Sequence, residues 1–260
     1  MEIMPTHSDV AVMPEPERSS TTVRPPSASL PKKLALSAIV VEDRAQLEQY
    51  VPAWDALAAS ALEPNVFYES WMLRPALELL GQGSDLLFVL IVAELPAGSP
   101  HGPFLCGLFP LERRRRYKGM PVRALALWRY VHCYLCTPLI HAAYARECLQ
   151  VFFDWLAKDR RGAPLLECTW IPGEGPFRRL LDELLADGRK PTLIEDFYTR
   201  ALLAPRGNAK TYLEGVLSGE RRRKLRRHEE RLAEKGAVEY VRLERDGDAG
   251  AWLEEFLRLE

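Results

Sequence analysis

The sequence lacks the features by which several classes of protein are recognised. Its 260 residues contain five cysteines, an odd number that does not form the disulfide framework of a small secreted domain. Prolines interrupt the N-terminus, which has no apolar core of the signal-peptide kind. The longest apolar run, Leu86–Ala93, is far below the roughly 20 residues of a membrane-spanning helix. We therefore expect a cytoplasmic protein with no membrane span.

An excess of charge of one sign is also missing. Lys and Arg number 35 against 36 Asp and Glu, so the formal net charge is −1 and the overall composition does not favour nucleic acid as a partner. No Ser-His-Asp arrangement, nucleophilic cysteine motif or phosphate-binding glycine loop stands out. The sequence therefore assigns no catalytic residue.

What the chain does contain is enough apolar sequence for a sizeable core. Hydrophobic residues make up 47% of it and charged residues 27%, which suits one large or two modest domains. Residues 1–33 are rich in Pro, Ser and Thr and are predicted to be a disordered tail. The rest predicts an α/β fold. Its predicted strands are 34–41, 86–94, 104–115, 122–128, 130–135, 164–170, 192–203 and 238–243, and its predicted helices are 42–62, 68–80, 142–157, 177–187, 208–217, 218–236 and 247–260.

The helix at 218–236 is the most distinctive segment. Ser218 is its predicted N-cap and Gly236 its predicted left-handed C-cap. Like charges repel along the helix, although two i,i+4 pairs of opposite charge, 220 with 224 and 226 with 230, offset this in part. Arginine also grips phosphate and carboxylate oxygens in pairs. The candidate anion-binding residues are Arg222, Arg223, Lys224, Arg226 and Arg227.

Two interpretations of this basic helix remain open. It is either an anion-binding surface or a solvated linker whose charge only keeps it in water. A nucleic-acid arm of the basic-zipper type is disfavoured because no leucine heptads follow and acidic residues interrupt the positive charge. A second basic cluster, the arginines at 113–116, lies at the end of a predicted strand, where it either binds an anion or keeps a sheet edge from pairing.

The segment after the predicted strand at 122–128 holds the other candidate site residues. Tyr130, His132 and Tyr134 alternate along a predicted strand, so they share one face and either line a cleft or pack in the core. Cys133 and Cys136 have a metal-ligand spacing, but in a strand they point to opposite faces, and no second pair of cysteines completes a site. We therefore expect no metal and two buried cysteines.

Four strings of residues, together with the predicted order of elements, resemble a known family. They resemble the CelD-like acetyltransferases of the GNAT superfamily, which are associated with cellulose biosynthesis and are similar to the FemAB-like proteins. The strings are NVFYESW at 65–71, LERRRR at 111–116, HCYLCTPL at 132–139 and SGERRRKLRR at 218–227.

The resemblance implies two GNAT-like domains in tandem, each with a mixed, largely antiparallel sheet flanked by helices. Residues 34–204 would form the first domain, and residues 205–260 the basic linker helix and first βα unit of a second domain that carries the acyl-CoA site. We expect the chain to be a fragment of such a protein. The string at 116–121 is not the CoA loop, since it ends in proline and a predicted strand follows.

The function that the resemblance implies is N-acetyl transfer from acetyl-CoA or another acyl-CoA. The acceptor would be an amine on a small molecule or a saccharide. In that reaction the amine attacks the thioester, a base takes the amine proton and backbone N–H groups stabilise the oxyanion. The alternative is a non-catalytic GNAT-like module that binds a substrate or a partner.

Overall fold

The computed structural model describes residues 34–93, 104–158, 164–200, 208–239, 241, 243 and 247–259. These residues belong to two compact units, one ending at Tyr198 and the other beginning at Thr199. The predicted tail at 1–33 and the turn predicted at 96–103 lie outside the described residues. Among the helices that are described, none has the length and apolar character needed to cross a membrane.

The unit that ends at Tyr198 is built on a six-stranded, mostly antiparallel open sheet. Its strands are β1 (Leu36–Val41), β2 (Leu86–Ala93), β3 (Phe104–Arg114), β4 (Ala124–Leu127), β5 (Leu139–Ile140) and β6 (Leu165–Glu167). The order across the sheet is β1-β2-β3-β4-β6, and the short β5 pairs with β3. Every pairing is antiparallel except that of β4 with β6, which is parallel. The predicted hairpin of two long strands is confirmed as β2 and β3.

Four α-helices belong to this unit: α1 (Val51–Ala59), α2 (Ser70–Leu80), α3 (Ala145–Lys158) and α4 (Pro176–Asp187). Short 3-10 helices precede the first three, at Arg44–Tyr50, Val66–Tyr68 and Ala142–Tyr144. The predicted helix at 42–62 is therefore two elements. A proline in the first turn of α1 accounts for the break, because proline has no N–H to donate to the preceding turn and therefore favours the start of a new helix.

The core lies on both faces of the central strands. Every residue of β2 is buried, as expected for a strand covered on both faces. On one face of β3, Phe109 stacks on Phe152 of α3 with ring centroids 4.0 Å apart. Gly107 lies on the same face, and a Cβ there would overlap the sulfur of Cys148 in α3. The absence of a side chain at Gly107 therefore lets α3 approach the sheet.

The second unit contains α5 (Ala209–Val216), α6 (Gly219–Ala233) and α7 (Ala249–Leu259). The predicted N-caps Asn208 and Ser218 are confirmed, since their side chains accept hydrogen bonds from the backbone N–H of Thr211 and Arg221. None of these three helices has a buried residue. The apolar side chains of these three helices therefore remain at least partly exposed.

The left-handed cap predicted at Gly236 is wrong. The helix ends at Ala233, its C-cap Glu234 is right-handed, and Gly236 is not among the glycines with positive φ. The N–H of Lys235 donates to the Leu232 carbonyl at 3.0 Å. Such tight turns satisfy carbonyls at a helix end without a left-handed residue.

Three predicted strands are also not found. Residues 130–135 form a turn and irregular backbone, and 192–200 are irregular. The described residues of 238–243 are likewise outside any strand. In the second of these segments Leu193 is 81% exposed and Phe197 76% exposed. Alternating apolar residues favour a strand where a neighbouring strand pairs with it, and no described strand pairs with these segments.

Candidate functional site

Two of the strings that carry the family resemblance meet next to the end of β4. The side-chain Nδ2 of Asn65 donates to the carbonyls of Leu135 (3.1 Å) and Thr137 (2.7 Å). Its Oδ1 accepts from the N–H of Phe67 at 3.1 Å, which caps the 3-10 helix that follows. Asn65 is 1% exposed. One buried amide therefore ties the string at 65–71 to residues 128–138, called here the β4 loop.

Two buried tyrosines strengthen the same junction. Tyr68 donates its hydroxyl hydrogen to the carbonyl of Trp128 at 2.7 Å, and Tyr130 donates to the carbonyl of Phe67 at 3.2 Å. The indole N–H of Trp54 in α1 donates to the Tyr68 carbonyl at 2.8 Å. Burial raises the pKa of both tyrosines above the ordinary value, so both remain neutral donors. These bonds fix where the β4 loop begins.

The prediction that Tyr130, His132 and Tyr134 share one face is wrong. Tyr130 is buried and His132 is exposed, while Tyr134 is 51% exposed. The N–H of Cys133 donates to the Tyr130 carbonyl at 2.9 Å, which closes a β-turn. Because this turn begins at Tyr130, the side chains of Tyr130 and His132 do not lie on one face as they would in a strand.

An aromatic cluster with one cation lies beside the β4 loop. Tyr134 makes edge contacts with Phe67 and Trp170, and Trp170 contacts Tyr198 at 5.1 Å between centroids. The guanidinium carbon of Arg129 lies 4.1 Å from the centre of the Trp170 ring, which is a cation–π contact. Trp170 has φ of 55°, a region that bulky residues rarely adopt and that often marks functional sites.

The position of this cluster follows from the one parallel pair in the sheet. Arg129 comes shortly after the end of β4 and Trp170 shortly after the end of β6. Parallel strands bring their carboxyl ends to the same edge, which is where open α/β sheets commonly bind ligands. Exposed aromatic rings beside a guanidinium can stack on a planar or saccharide ring and attract an anion.

Cys133 and Cys136 belong to the β4 loop, and their buried sulfurs are 3.8 Å apart. The prediction that they point to opposite faces is wrong because the segment turns, although both are buried as predicted. The hydrogen bond from Cys136 lowers the pKa of Cys133, while the same bond and burial raise the pKa of Cys136. In the part of the chain that the structure describes, no group of three or more His, Cys, Asp or Glu could hold a metal ion.

The arginine cluster at 113–116 does not lie on a sheet edge, because β3 is an interior strand. Arg113 pairs with Glu42 and with Asp85, and Arg114 pairs with Glu112 (2.9 Å) and Glu167 (2.6 Å). The interpretation of these arginines as edge protection is therefore wrong. Two of the four join strands by ion pairs, which leaves less charge for an anion.

The basic helix α6 uses one of its candidate residues for its own structure. Nη1 of Arg222 donates to the carbonyls of Leu217 (2.9 Å) and Glu214 (3.2 Å), which satisfies acceptors at the end of α5. The two i,i+4 pairs predicted along α6 do not appear among the ion pairs of the described residues.

Four of the cations of α6 lie on one face of the helix. That face carries Glu220, Arg223, Lys224, Arg227, His228 and Arg231. Arg226 lies outside it. Of the predicted anion-binding residues, the structure therefore brings Arg223, Lys224 and Arg227 together and separates Arg222 and Arg226 from them.

Sequence reasoning missed three residues at the β4 loop. Asn65 stood in a resembling string without a role, although an Asn before an apolar turn is a typical cap. Arg129 and Trp170 are 41 residues apart in the sequence and meet only because β4 and β6 pair. No local pattern in the sequence indicates that contact.

No protein-family model, curated protein or solved structure matches the chain. Fold and site define an α/β protein with a mostly antiparallel sheet and an aromatic cluster at the carboxyl ends of its parallel pair.

Proposed function

We propose that the chain is the first GNAT-like domain, with the beginning of a second, of a CelD-like or FemAB-like N-acetyltransferase. Such a protein transfers an acyl group from acetyl-CoA or another acyl-CoA to an amine on a small molecule or saccharide. A role in cellulose or exopolysaccharide biosynthesis would follow from the same resemblance. The proposal rests on fold-level likeness and on the residue strings, and not on an identified catalytic group.

One observation carries the proposal: the order and direction of the strands. Strands β1 to β4 are neighbours in sequence order and antiparallel, with α1 and α2 between β1 and β2. The chain then passes through α3 and returns as β6, parallel to β4. The order that the resemblance implies for a GNAT-like domain is a strand, two helices, an antiparallel hairpin, strands, a helix, a strand, a helix and a strand. The elements from β1 to α4 follow this order, whereas the described residues of the last strand, predicted at 192–203, are irregular.

Within this proposal the first domain binds the acceptor and leaves the acyl-CoA to the second. The string at 116–121 supports this division. Tyr117 and Met120 pair across a tight turn in which Lys118 and Gly119 have positive φ, and strand β4 follows. A CoA pyrophosphate needs successive N–H groups at the start of a helix, and this turn does not provide them.

The chemical roles follow from the same division. Acyl-CoA supplies an activated acyl group when it is bound. The aromatic cluster of the first domain would hold the acceptor by stacking, with Arg129 attracting any negative charge on it. The cations Arg223, Lys224 and Arg227 of α6 suit a phosphate or an acidic saccharide, because arginine offers paired donors.

A second candidate function is a non-catalytic binding module. The aromatic cluster favours it, since stacking surfaces need no acid or base. In that case the chain would bind its ligand without acyl-CoA in any form of the protein.

Calorimetric titration with acetyl-CoA separates the two functions. We expect no micromolar binding by residues 1–260 and clear binding by the complete product of the gene. Arg223→Glu with Arg227→Glu should weaken that binding, most at low salt, whereas Arg226→Glu serves as the matched control, since Arg226 lies outside the face that Arg223 and Arg227 share. Micromolar binding by residues 1–260 contradicts the division of roles, and no binding by the complete product favours the non-catalytic module.

A further inference from the structure

The two buried cysteines of the β4 loop suit a chemistry that acyl transfer does not use. We propose that Cys133 and Cys136 are a reactive dithiol that hydrogen peroxide oxidises to an intramolecular disulfide. Their sulfurs are 3.8 Å apart, and a disulfide requires about 2.05 Å. The approach needed is within reach of side-chain rotation and a small loop adjustment, so no helix or strand has to move. This inference is independent of the proposed function.

The two thiols are unequal, which gives them different roles. The hydrogen bond between the two sulfurs lowers the pKa of Cys133 more than burial raises it, and the nearby charge of Arg129 also lowers it. The pKa of Cys136 is raised by that bond and by burial. Thiolate is the nucleophilic form of cysteine. Cys133 is therefore the attacking residue and Cys136 the resolving one.

The remaining cysteines are poor competitors. Burial raises the pKa of Cys106 and of Cys168 to about 12, and it raises that of Cys148 well above the ordinary value. Cys168 is the only cysteine that is not fully buried. If exposure alone decided reactivity, Cys168 would react first. If the fraction of thiolate decides it, Cys133 reacts first because its pKa is lowered.

Burial of the pair decides which oxidant can act. Both thiols are fully buried, but the loop above them carries Val131 at 64% and Tyr134 at 51% exposure. Surface loops open locally at a lower free-energy cost than the core. A molecule as small as hydrogen peroxide can enter through such an opening, whereas a bulky disulfide such as oxidised glutathione fits less well. We therefore expect oxidation to follow loop opening.

The proposed reaction balances in two steps. The Cys133 thiolate attacks one oxygen of hydrogen peroxide, the O–O bond breaks, and the leaving hydroxide takes a proton, which gives a sulfenic acid and water. The Cys136 sulfur then attacks the Cys133 sulfur, its thiol proton passes to the departing hydroxyl group, and a second water leaves. The two sulfurs are oxidised by two electrons in total, and the peroxide is reduced to two water molecules.

The disulfide would change the β4 loop. Cys133 would lose the hydrogen that its thiol donates to the Leu135 carbonyl at 3.2 Å, and the residues between the two sulfurs would be closed in a ring. Tyr134 is one of the residues that the disulfide would enclose in the sequence, and its side chain contacts Phe67 and Trp170. Oxidation would therefore restrict one member of the aromatic cluster.

Peptide mapping of the intact chain tests the proposal directly. Trypsin cleaves after Arg129 and Arg146, so residues 130–146 form one peptide that contains Cys133 and Cys136 and no other cysteine. After treatment with peroxide and alkylation of the remaining thiols, we expect this peptide unalkylated and lighter by two hydrogen atoms, with Cys168 still alkylated. A fully alkylated peptide beside an oxidised Cys168 overturns the proposal, as does independent conversion of both cysteines to sulfinic acid.

Variants test the assigned roles. In Cys136→Ser we expect a sulfenic acid at Cys133 that dimedone labels, and in Cys133→Ser we expect little label at Cys136 under the same conditions. Cys168→Ser is the matched control and should form the disulfide at the parent rate. Equal labelling of the first two variants overturns the assignment of Cys133 as the attacking thiol. Peptide mapping of the parent chain needs no variant and decides disulfide formation even if a variant misfolds.

Discussion

Replacement of Asn65 by alanine should destabilise the first unit more than any surface cap does. The change removes two donated bonds to the Leu135 and Thr137 carbonyls and one accepted from Phe67 N–H. A net value of about 1 kcal/mol for each bond gives a loss of about 3 kcal/mol in the free energy of unfolding. The loss can exceed this, because the abandoned carbonyls lie in a buried junction where an unsatisfied group is costly.

Urea unfolding followed by tryptophan fluorescence measures this loss. Of the six tryptophans only Trp252 lies outside the first unit, so the signal reports mainly on that unit. Asp43→Ala is the matched control, since Asp43 also caps a 3-10 helix but makes a single exposed bond to Ala45 N–H, worth about 0.5–1 kcal/mol.

A second variant separates the donated bonds from the accepted one. In Asn65→Asp one carboxylate oxygen can still accept from the Phe67 N–H, but the other faces two carbonyl oxygens and repels them. We therefore expect Asn65→Asp to be at least as destabilising as Asn65→Ala. A loss below about 1 kcal/mol for Asn65→Ala, or a stable Asn65→Asp, would show that the amide does not hold the β4 loop.

Three further predictions concern other parts of the fold. Gly107→Ala should lower the free energy of unfolding by about 1–3 kcal/mol, because the new Cβ overlaps Cys148 and α3 must shift; thermal denaturation measures this. Burial lowers the pKa of His141, and its Nδ1 accepts a hydrogen bond from Ala143 N–H at 3.2 Å. Protonation of His141 therefore costs more in the folded state, so the free energy of unfolding should be full above about pH 6.5 and fall as the pH drops toward the lowered pKa. Urea midpoints across that pH range measure the fall. Arg222→Ala should reduce helical circular dichroism, since the end of α5 loses its capping bonds.

Each of these predictions has a control. Ala38→Gly lies in edge strand β1 and tests whether strand substitutions in general cost as much as Gly107→Ala. His141→Asn keeps a cap acceptor and should remove the fall in stability at low pH; an unchanged fall would assign it to another group. Arg223→Ala shortens an arginine of α6 that caps nothing in the described residues, so an equal loss of helix signal would contradict the capping role of Arg222.

Local signals were predicted well because their physics is local. Asn208 and Ser218 cap helices because their side chains reach an N–H three residues ahead, a relation visible in the sequence. Strand β2 was predictable because an unbroken apolar run bounded by turn residues has few other places in a fold. These signals place most of the helices and the central hairpin.

Contacts between distant segments were not predictable. The turn after Tyr130 is closed by one backbone hydrogen bond, and the residues that follow it are held by bonds from Asn65, far away in sequence. Because that turn was taken for a strand, the sulfurs of Cys133 and Cys136 were expected on opposite faces. Arg114 likewise looked free until β6 placed Glu167 beside it.

The central claim is that the first unit does not contain the acyl-CoA site. Amide hydrogen exchange of the proposed two-domain protein, with and without acetyl-CoA, tests this claim by showing which segments the ligand protects. We predict that protection spares the end of the parallel pair at 124–138 and falls on α6 and on residues outside the first unit. Strong protection concentrated at 124–138, with α6 unchanged, would contradict the account.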